Sequence, residues 1–143
     1  MDSQEIRPAL EAILFSAGDS VEIGTGKKLT FIEMRMLHWP DSMATYLSGD
    51  NILFSNDAFG QHFAVGELFN DKADQCLLWK EAMKYYANIL NPFSAVLAKK
   101  LQEIAGLGLT FEIIAPSHGA IWREEPMQIV QSMDSSGFAA PSV

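Results

Sequence analysis

Alternating apolar and polar residues fill the first half of the chain and predict β-strands. Residues 21–23 and 28–36 flank the segment Gly-Thr-Gly-Lys, a pattern typical of a β-hairpin. In the second run, every other side chain is apolar, which places one face of the strand on a core. These apolar positions are Ile32, Met34 and Met36. Residues 43–47 and 51–55 predict a second strand pair, joined through Ser-Gly-Asp.

The apolar spacing changes to three and four in the second half, which predicts helices. The first covers residues 71–91, with Asn70 or Asp71 as its cap, and Pro92 ends it because a residue before proline disfavours the helical conformation. Its predicted apolar face consists of Trp79, Met83, Tyr86 and Leu90. A second helix follows from Pro92 and closes near Gly106. Its predicted inward residues are Phe93, Val96, Leu97, Leu101 and Ile104.

Three shorter patterns complete the predicted elements. Residues 8–15 suit a short helix, residues 109–115 a strand dense in apolar side chains, and residues 126–133 a last helix. Residues 134–143 are mostly Ser, Gly, Ala and Pro, and we expect a disordered tail there. The predicted class is α/β with a mixed sheet, in one domain over residues 1–133.

Composition and charge exclude several classes of protein. The chain has 143 residues, and its 18 acidic against 10 basic residues give a net charge of −8. This acidity argues against a nucleic-acid partner, because affinity for phosphates comes mostly from Lys and Arg. A single cysteine, Cys76, excludes an internal disulfide and a zinc site built from thiolate pairs. The apolar runs are too short to span a membrane, so we expect a cytoplasmic protein.

Three polar clusters follow predicted strands and carry the candidate chemistry. They are MLHWPDS at residues 36–42, LFSNDAFGQH at 53–62 and IAPSHGA at 114–120. Each brings a His or an Asp to a strand end, where loops at one sheet edge can converge. Imidazole and carboxylate groups are good ligands for zinc or iron, and one carboxylate can bridge two cations. The alternative is structural: a lone His that is simply hydrogen-bonded, and an Asp that caps a turn.

The sequence segments around these clusters resemble those of a known protein family. MLHWPDSM, ILFSNDAFGQH, YYANILNPFS and APSHGAIWR, in this order, are similar to the metallo-β-lactamase-like domain of flavodiiron proteins, which reduce oxygen or nitric oxide. Eighteen residues stand between His38 and Asp57 and sixty between Asp57 and His118, similar to the spacing of the family's last three iron ligands. The resemblance runs from about residue 7 to residue 131.

The resemblance implies roles for five residues. His38 would bind one iron, Asp57 would bridge both irons, and His118 would bind the other. Asp41 would accept a hydrogen bond that orients an imidazole, with a turn cap as the alternative. Tyr86 corresponds to a tyrosine near the diiron pocket that could donate a hydrogen bond or proton, but its place on the apolar face of the predicted helix favours core packing. His62 matches no ligand position and is interpreted as structural.

The sequence also departs from the family. The family's first ligands come from a His-x-Glu-x-Asp loop that does not occur here, and a flavodoxin-like domain carrying FMN follows in the family. We therefore expect part of an αββα sandwich without its N-terminal strands, with uncovered apolar surface that favours dimerisation or aggregation. Three ligands do not satisfy a dinuclear centre, so we expect no turnover by these residues alone.

The leading hypothesis is thus part of a diiron flavoprotein that reduces oxygen to water or nitric oxide to nitrous oxide. The resemblance implies iron, FMN, an electron donor such as rubredoxin or a flavin domain, and a homo-oligomer in the complete protein. A second hypothesis is a zinc-dependent hydrolase with the same fold, in which the metal activates water. A third is a non-catalytic fragment, or a subunit completed by another chain.

Overall fold

A computed structural model describes residues 18–64 and 66–133. The helix predicted over residues 8–15 and the tail predicted over residues 134–143 lie outside the described residues. The helices in the described part are all too short or too polar to cross a membrane.

Five strands form one mixed sheet, as predicted. They are β1 (Ser20–Gly24), β2 (Lys27–Glu33), β3 (Met43–Ser48), β4 (Ile52–Asn56) and β5 (Ile113–Pro116). The strands lie in chain order across the sheet, and β1 to β4 pair antiparallel. The last pair, β4 with β5, is parallel and sets Leu53 opposite Ile114. Both predicted hairpins are therefore confirmed.

Two predicted strands are too long. β2 ends at Glu33, and Met36 is an exposed residue with a φ of 66°, so the predicted core position at Met36 is wrong. β5 begins at Ile113 instead of at residue 109, because β4, the strand with which it pairs, begins at Ile52. The backbone N–H groups just before and at the start of β5 both point to the carbonyl of Asn51.

The helical region is more broken than predicted. It consists of a 3₁₀ turn (Asn70–Lys72), α1 (Gln75–Tyr85), a π-helical turn (Tyr86–Leu90), a 3₁₀ turn (Asn91–Phe93), α2 (Ser94–Gly106) and α3 (Met127–Ser132). The predicted caps at Asn70 and Asp71 are wrong, because Asp74 caps α1 by accepting the N–H of Leu77 at 2.9 Å.

The buried face of α1 also differs from the prediction. Its buried residues are Leu78, Trp79, Ala82 and Tyr85. Met83, predicted to face the core, is 47% exposed. Tyr86 and Leu90 are buried as predicted, because the wider π-helical turn shifts the phase by about one residue. In α2, Leu97 and Ile104 are buried as predicted.

The core lies between one face of the sheet and the helices. It combines strand residues such as Tyr46, Leu53 and Ile114 with helix residues such as Leu97 and Ile129. On the alternate strand positions, Met43 and Phe54 are exposed. The helices therefore cover one face, while the other carries exposed apolar side chains.

Candidate metal centre

Three loops that follow β2, β4 and β5 meet at one edge of the sheet. Both β2 and β4 are antiparallel to β3, so they run in the same direction, and β5 is parallel to β4. The carboxyl ends of these three strands consequently lie at one edge, where ligand sites of α/β sheets are commonly found. The loops carry His38, Asp57 and His118, and the structure brings these three side chains together.

The carboxylate of Asp57 stands between the two imidazoles. Its Oδ2 lies 3.5 Å from Nε2 of His38, and its Oδ1 lies 3.9 Å from Nε2 of His118. Both distances exceed the donor–acceptor range of about 2.7–3.2 Å, so neither pair is hydrogen-bonded. The side chains are 21%, 22% and 33% exposed, in chain order. Each oxygen of Asp57 thus faces a different imidazole in a half-open site.

A tight loop holds His38. The N–H of Met36 donates to the carbonyl of Trp39 at 2.8 Å, and the buried hydroxyl of Ser42 donates to the carbonyl of Leu37 at 2.8 Å. The positive φ of Met36, uncommon for a residue other than glycine, reverses the chain after β2. These bonds fix the backbone on both sides of His38.

Asp57 lies in a second tight turn. Asn56 adopts a φ of 57°, and asparagine tolerates this left-handed conformation. The hydroxyl of Ser55 donates to the carbonyl of Ala58 at 2.6 Å, and the N–H of Gly60 donates to the carbonyl of Asp57 at 3.2 Å. These two bonds close the turn that carries Asp57.

His118 packs closely against the Asp57 loop. Its Nδ1 lies 3.1 Å from the carbonyl oxygen of Gln61, and a Cβ at Gly60 would come within 2.6 Å of its ring. A carbonyl oxygen only accepts hydrogen bonds, so Nδ1 carries the proton. The lone pair of Nε2 then faces Asp57, which is the arrangement that a metal-binding histidine requires.

A tyrosine missed by the sequence analysis stands beside this trio. Tyr85, not Tyr86, contacts the rings of His118 and His62, with centroids 5.2 and 4.9 Å away. Burial and the nearby Asp57 carboxylate raise the pKa of Tyr85 above its usual value, so the phenol stays protonated. The YYANIL motif indicated a tyrosine at this place, and the family resemblance assigned it to the neighbouring Tyr86.

The structure places the remaining candidates as follows. Asp41 is exposed, and within the described residues it makes no hydrogen bond to either imidazole. Tyr86 is buried at the start of the π-helical turn. The ring of His62 lies 5.2 Å from that of His118. The orienting role of Asp41 and the proton-donating role of Tyr86 stay predictions.

The donor atoms of His38, Asp57 and His118 are of kinds that bind metal ions. Two imidazoles and a carboxylate without thiolate suit iron or zinc. Nδ1 of His38 is buried without a hydrogen-bond partner in the described part of the chain, which is a costly state that a ligand or further protein group would relieve. Residues 18–64 and 66–133 contain no group of three or more His, Cys, Asp or Glu arranged to hold a metal ion without further ligands.

Comparison with known proteins identifies the family. The description "ODP family beta lactamase" applies to a family whose profile matches residues 9–119, most of the chain. The chain belongs to this family. It is also 56% identical over 114 residues to the anaerobic nitric oxide reductase flavorubredoxin of Vibrio vulnificus, an alignment that covers 80% of this chain and 23% of that protein.

Solved structures give the same result for the fold. The flavodiiron protein from Giardia intestinalis matches with a TM-score of 0.78 and 36% identity, covering 85% of this chain and 29% of that one. The rubredoxin oxygen:oxidoreductase from Desulfovibrio gigas matches with a TM-score of 0.75 and 32% identity, covering 91% and 35%. The resemblance to flavodiiron proteins and the partial metallo-β-lactamase-like fold are therefore confirmed. The chain spans about a quarter to a third of the length of these relatives.

Proposed function

We propose that this chain supplies three iron ligands, His38, Asp57 and His118, to the dinuclear centre of a flavodiiron-type reductase of nitric oxide or oxygen. One observation carries the proposal: the two oxygens of Asp57 face two different imidazole Nε2 atoms, at 3.5 and 3.9 Å. The identity to a relative named as a nitric oxide reductase is 56%, against 32% to one named for oxygen, which favours nitric oxide as the first substrate to test.

His38, Asp57 and His118 would bind the cations, and Tyr85 would donate a hydrogen bond beside them. A pair of ferrous ions, when bound, would supply electrons and adjacent open positions for a diatomic molecule. His38, Asp57 and His118 would hold these cations, with the carboxylate of Asp57 lying between the two imidazoles. Because its pKa is raised, Tyr85 keeps its phenolic proton and can donate a hydrogen bond at the edge of this site.

The other metal ligands and the electrons for the reaction would come from groups other than these three residues. A dinuclear centre needs about eight or more ligand positions in all, of which three side chains fill only some. Electrons would come from FMN in a flavodoxin-like domain, itself supplied by a rubredoxin-type donor. Cytoplasmic location and assembly into a homo-oligomer are further predictions.

Metal binding tests the ligand assignment directly. We expect Co²⁺, as a spectroscopic substitute for Fe²⁺, to bind the full chain with visible absorption bands, and Asp57→Asn to abolish this binding. The matched control is His62→Gln, which removes a histidine that faces no carboxylate oxygen and should change the affinity less than about tenfold. Equal binding by Asp57→Asn and by the unmodified chain would refute the proposal.

Completion by another polypeptide tests the third hypothesis. Co-expression with a segment that carries a His-x-Glu-x-Asp motif should give a larger, iron-loaded species in size-exclusion chromatography. The 143-residue chain alone should show no stopped-flow consumption of nitric oxide or oxygen. Turnover by the chain alone, or two metal-free species that never associate, would contradict this. The zinc hydrolase has no support among the relatives, whose names refer to nitric oxide and oxygen chemistry.

A further inference from the structure

Gln61 joins two of the loops that form the candidate metal centre. Its side chain is fully buried, which is unusual for a glutamine. Its Nε2 donates to the carbonyl of Phe59 at 2.7 Å, and its Oε1 accepts the N–H of Ala120 at 2.8 Å. The amide thus fastens the loop after β4 to the loop after β5, and both ends of the amide are satisfied.

The backbone of the same residue contacts His118. The carbonyl oxygen of Gln61 lies 3.1 Å from Nδ1 of the imidazole, so it fixes both the ring orientation and the nitrogen that carries the proton. The side-chain amide of the same residue contacts Ala120 in the loop that carries His118. One residue therefore contacts both that loop and the imidazole that the loop carries.

Two glycines make this close approach possible. A Cβ at Gly60 would lie 2.6 Å from Cε1 of His118, and a Cβ at Gly119 would lie 2.4 Å from Oε1 of Gln61. Gly119 also has a φ of 82°, which side-chain-bearing residues rarely adopt. Any side chain at either position would push the imidazole or the amide out of place.

We propose that Gln61 is the positioning residue of His118: its buried amide locks the two loops so that its carbonyl holds Nδ1–H and leaves Nε2 facing Asp57. The contacts between Gln61 and His118 form without a bound metal. The inference rests on the proposed function only in that a cation is the partner for which Nε2 is prepared. A metal-binding histidine commonly has its second nitrogen held by a carbonyl in this way.

The tautomer of His118 is the direct readout. We expect long-range ¹H–¹⁵N NMR spectra of the metal-free full chain, at mildly alkaline pH, to show the proton of His118 on Nδ1. In Gln61→Met, which keeps the length of the side chain and removes the amide, His118 should show mixed tautomers. His38 serves as the internal reference and should not change.

Glycine variants provide a second route and a matched control. Gly60→Ala should disturb the His118 signals in the same way, whereas Gly106→Ala adds the same methyl group where nothing lies within 4 Å and should leave them unchanged. If Gln61→Met does not fold, Gly119→Ala, which displaces the amide from the other side, gives the deciding spectrum. An unchanged Nδ1–H tautomer in a folded variant overturns the proposal, and loss of folding in both assigns Gln61 a purely structural role.

Metal affinity separates this inference from the proposed function. Gln61→Met should weaken Co²⁺ binding by about 10- to 100-fold, the usual effect of removing a group that orients a metal-binding histidine. A chain that shows the expected tautomers but binds no Co²⁺ would refute the metal centre and leave the role of Gln61 intact. If the unmodified chain binds Co²⁺ and Gln61→Met leaves the tautomer of His118 unchanged, the role of Gln61 is refuted and the metal centre is supported.

Discussion

Unusual backbone conformations place the candidate ligands. Met36, Asn56 and Phe59 all have positive φ although none is a glycine, and each lies within two residues of His38 or Asp57. Such conformations cost of order 1 kcal/mol each and persist where surrounding contacts fix them. The hydrogen bonds of the two loops supply those contacts. The backbone is therefore locally strained in the loops that bring His38 and Asp57 close to His118.

Tyr85 gives a pH-dependent prediction. Its hydroxyl is buried without a hydrogen-bond partner in the described residues, so we expect Tyr85→Phe to change the free energy of unfolding at neutral pH by less than about 1 kcal/mol. Because its folded pKa is raised, its contribution to stability is complete below the unfolded pKa of about 10 and is lost as the pH rises above it. Urea unfolding of Tyr85→Phe should show a shallower alkaline decline.

Tyr46→Phe is the matched control for this measurement. Its hydroxyl donates to Oδ1 of Asn51 at 2.7 Å, so its loss should already cost about 1 kcal/mol at neutral pH. Alkaline curves of the same steepness for Tyr85→Phe and the unmodified chain would show that Tyr85 titrates normally.

At the scale of elements, the interrupted helix matters most. A regular helix from residue 71 to residue 91 would present one continuous stripe, but α1 begins at its Asp74 cap and passes into a π-helical turn at Tyr86. This change of phase lets Tyr85 reach the ring of His118 while Leu90 still enters the core. π-Helical turns are frequently found at functional sites.

The cap of α1 can be tested by one substitution. Asp74→Ala removes the acceptor for the N–H of Leu77 and should lower the free energy of unfolding by about 1 kcal/mol. Glu67→Ala is the control, because it removes an equal charge from an exposed position outside any helix. Thermal unfolding followed by circular dichroism compares the two variants. Equal losses would mean that charge, not capping, is responsible.

At the scale of the whole molecule, the sheet is covered unequally. The helices and the indole of Trp122 pack on one face, and Phe59 in that core is 1% exposed. Phe54, two residues before Asn56 ends β4, is 44% exposed on the other face. Burial of apolar surface is the main source of folding stability. The buried Phe59 should therefore contribute much more to the free energy of unfolding than the exposed Phe54.

A pair of phenylalanine variants measures this asymmetry. Phe59→Ala should lower the free energy of unfolding by about 3–5 kcal/mol, since it leaves a cavity in the core. Phe54→Ala should lower it by less than about 1 kcal/mol, since most of the lost contact is with solvent. Urea denaturation of both chains decides the matter, and comparable losses would show that the face around Phe54 is covered in solution.

Sequence patterns predicted the elements whose signals are local. The hairpin around Gly24 and Gly26, the strand pair closed by Gly49 and the last helix all depend on near neighbours in the chain. The strand predicted from residue 109 failed because its length depends on where β4 begins to pair. The prediction that Met83 faces the core was wrong because the π-helical turn at Tyr86–Leu90 changes which side of the helix is buried. No local sequence pattern marks this turn.

The sequence by itself determined the family, the mixed α/β class and the three residues that the family resemblance singles out, because these follow from residue types in a fixed order. Tertiary structure alone decided that both oxygens of Asp57 face imidazoles, that Tyr85 is the adjacent phenol and that Gln61 holds His118. Those contacts join residues far apart in the chain. Their geometry depends on how strands and loops pack in three dimensions, which no pattern along the chain encodes.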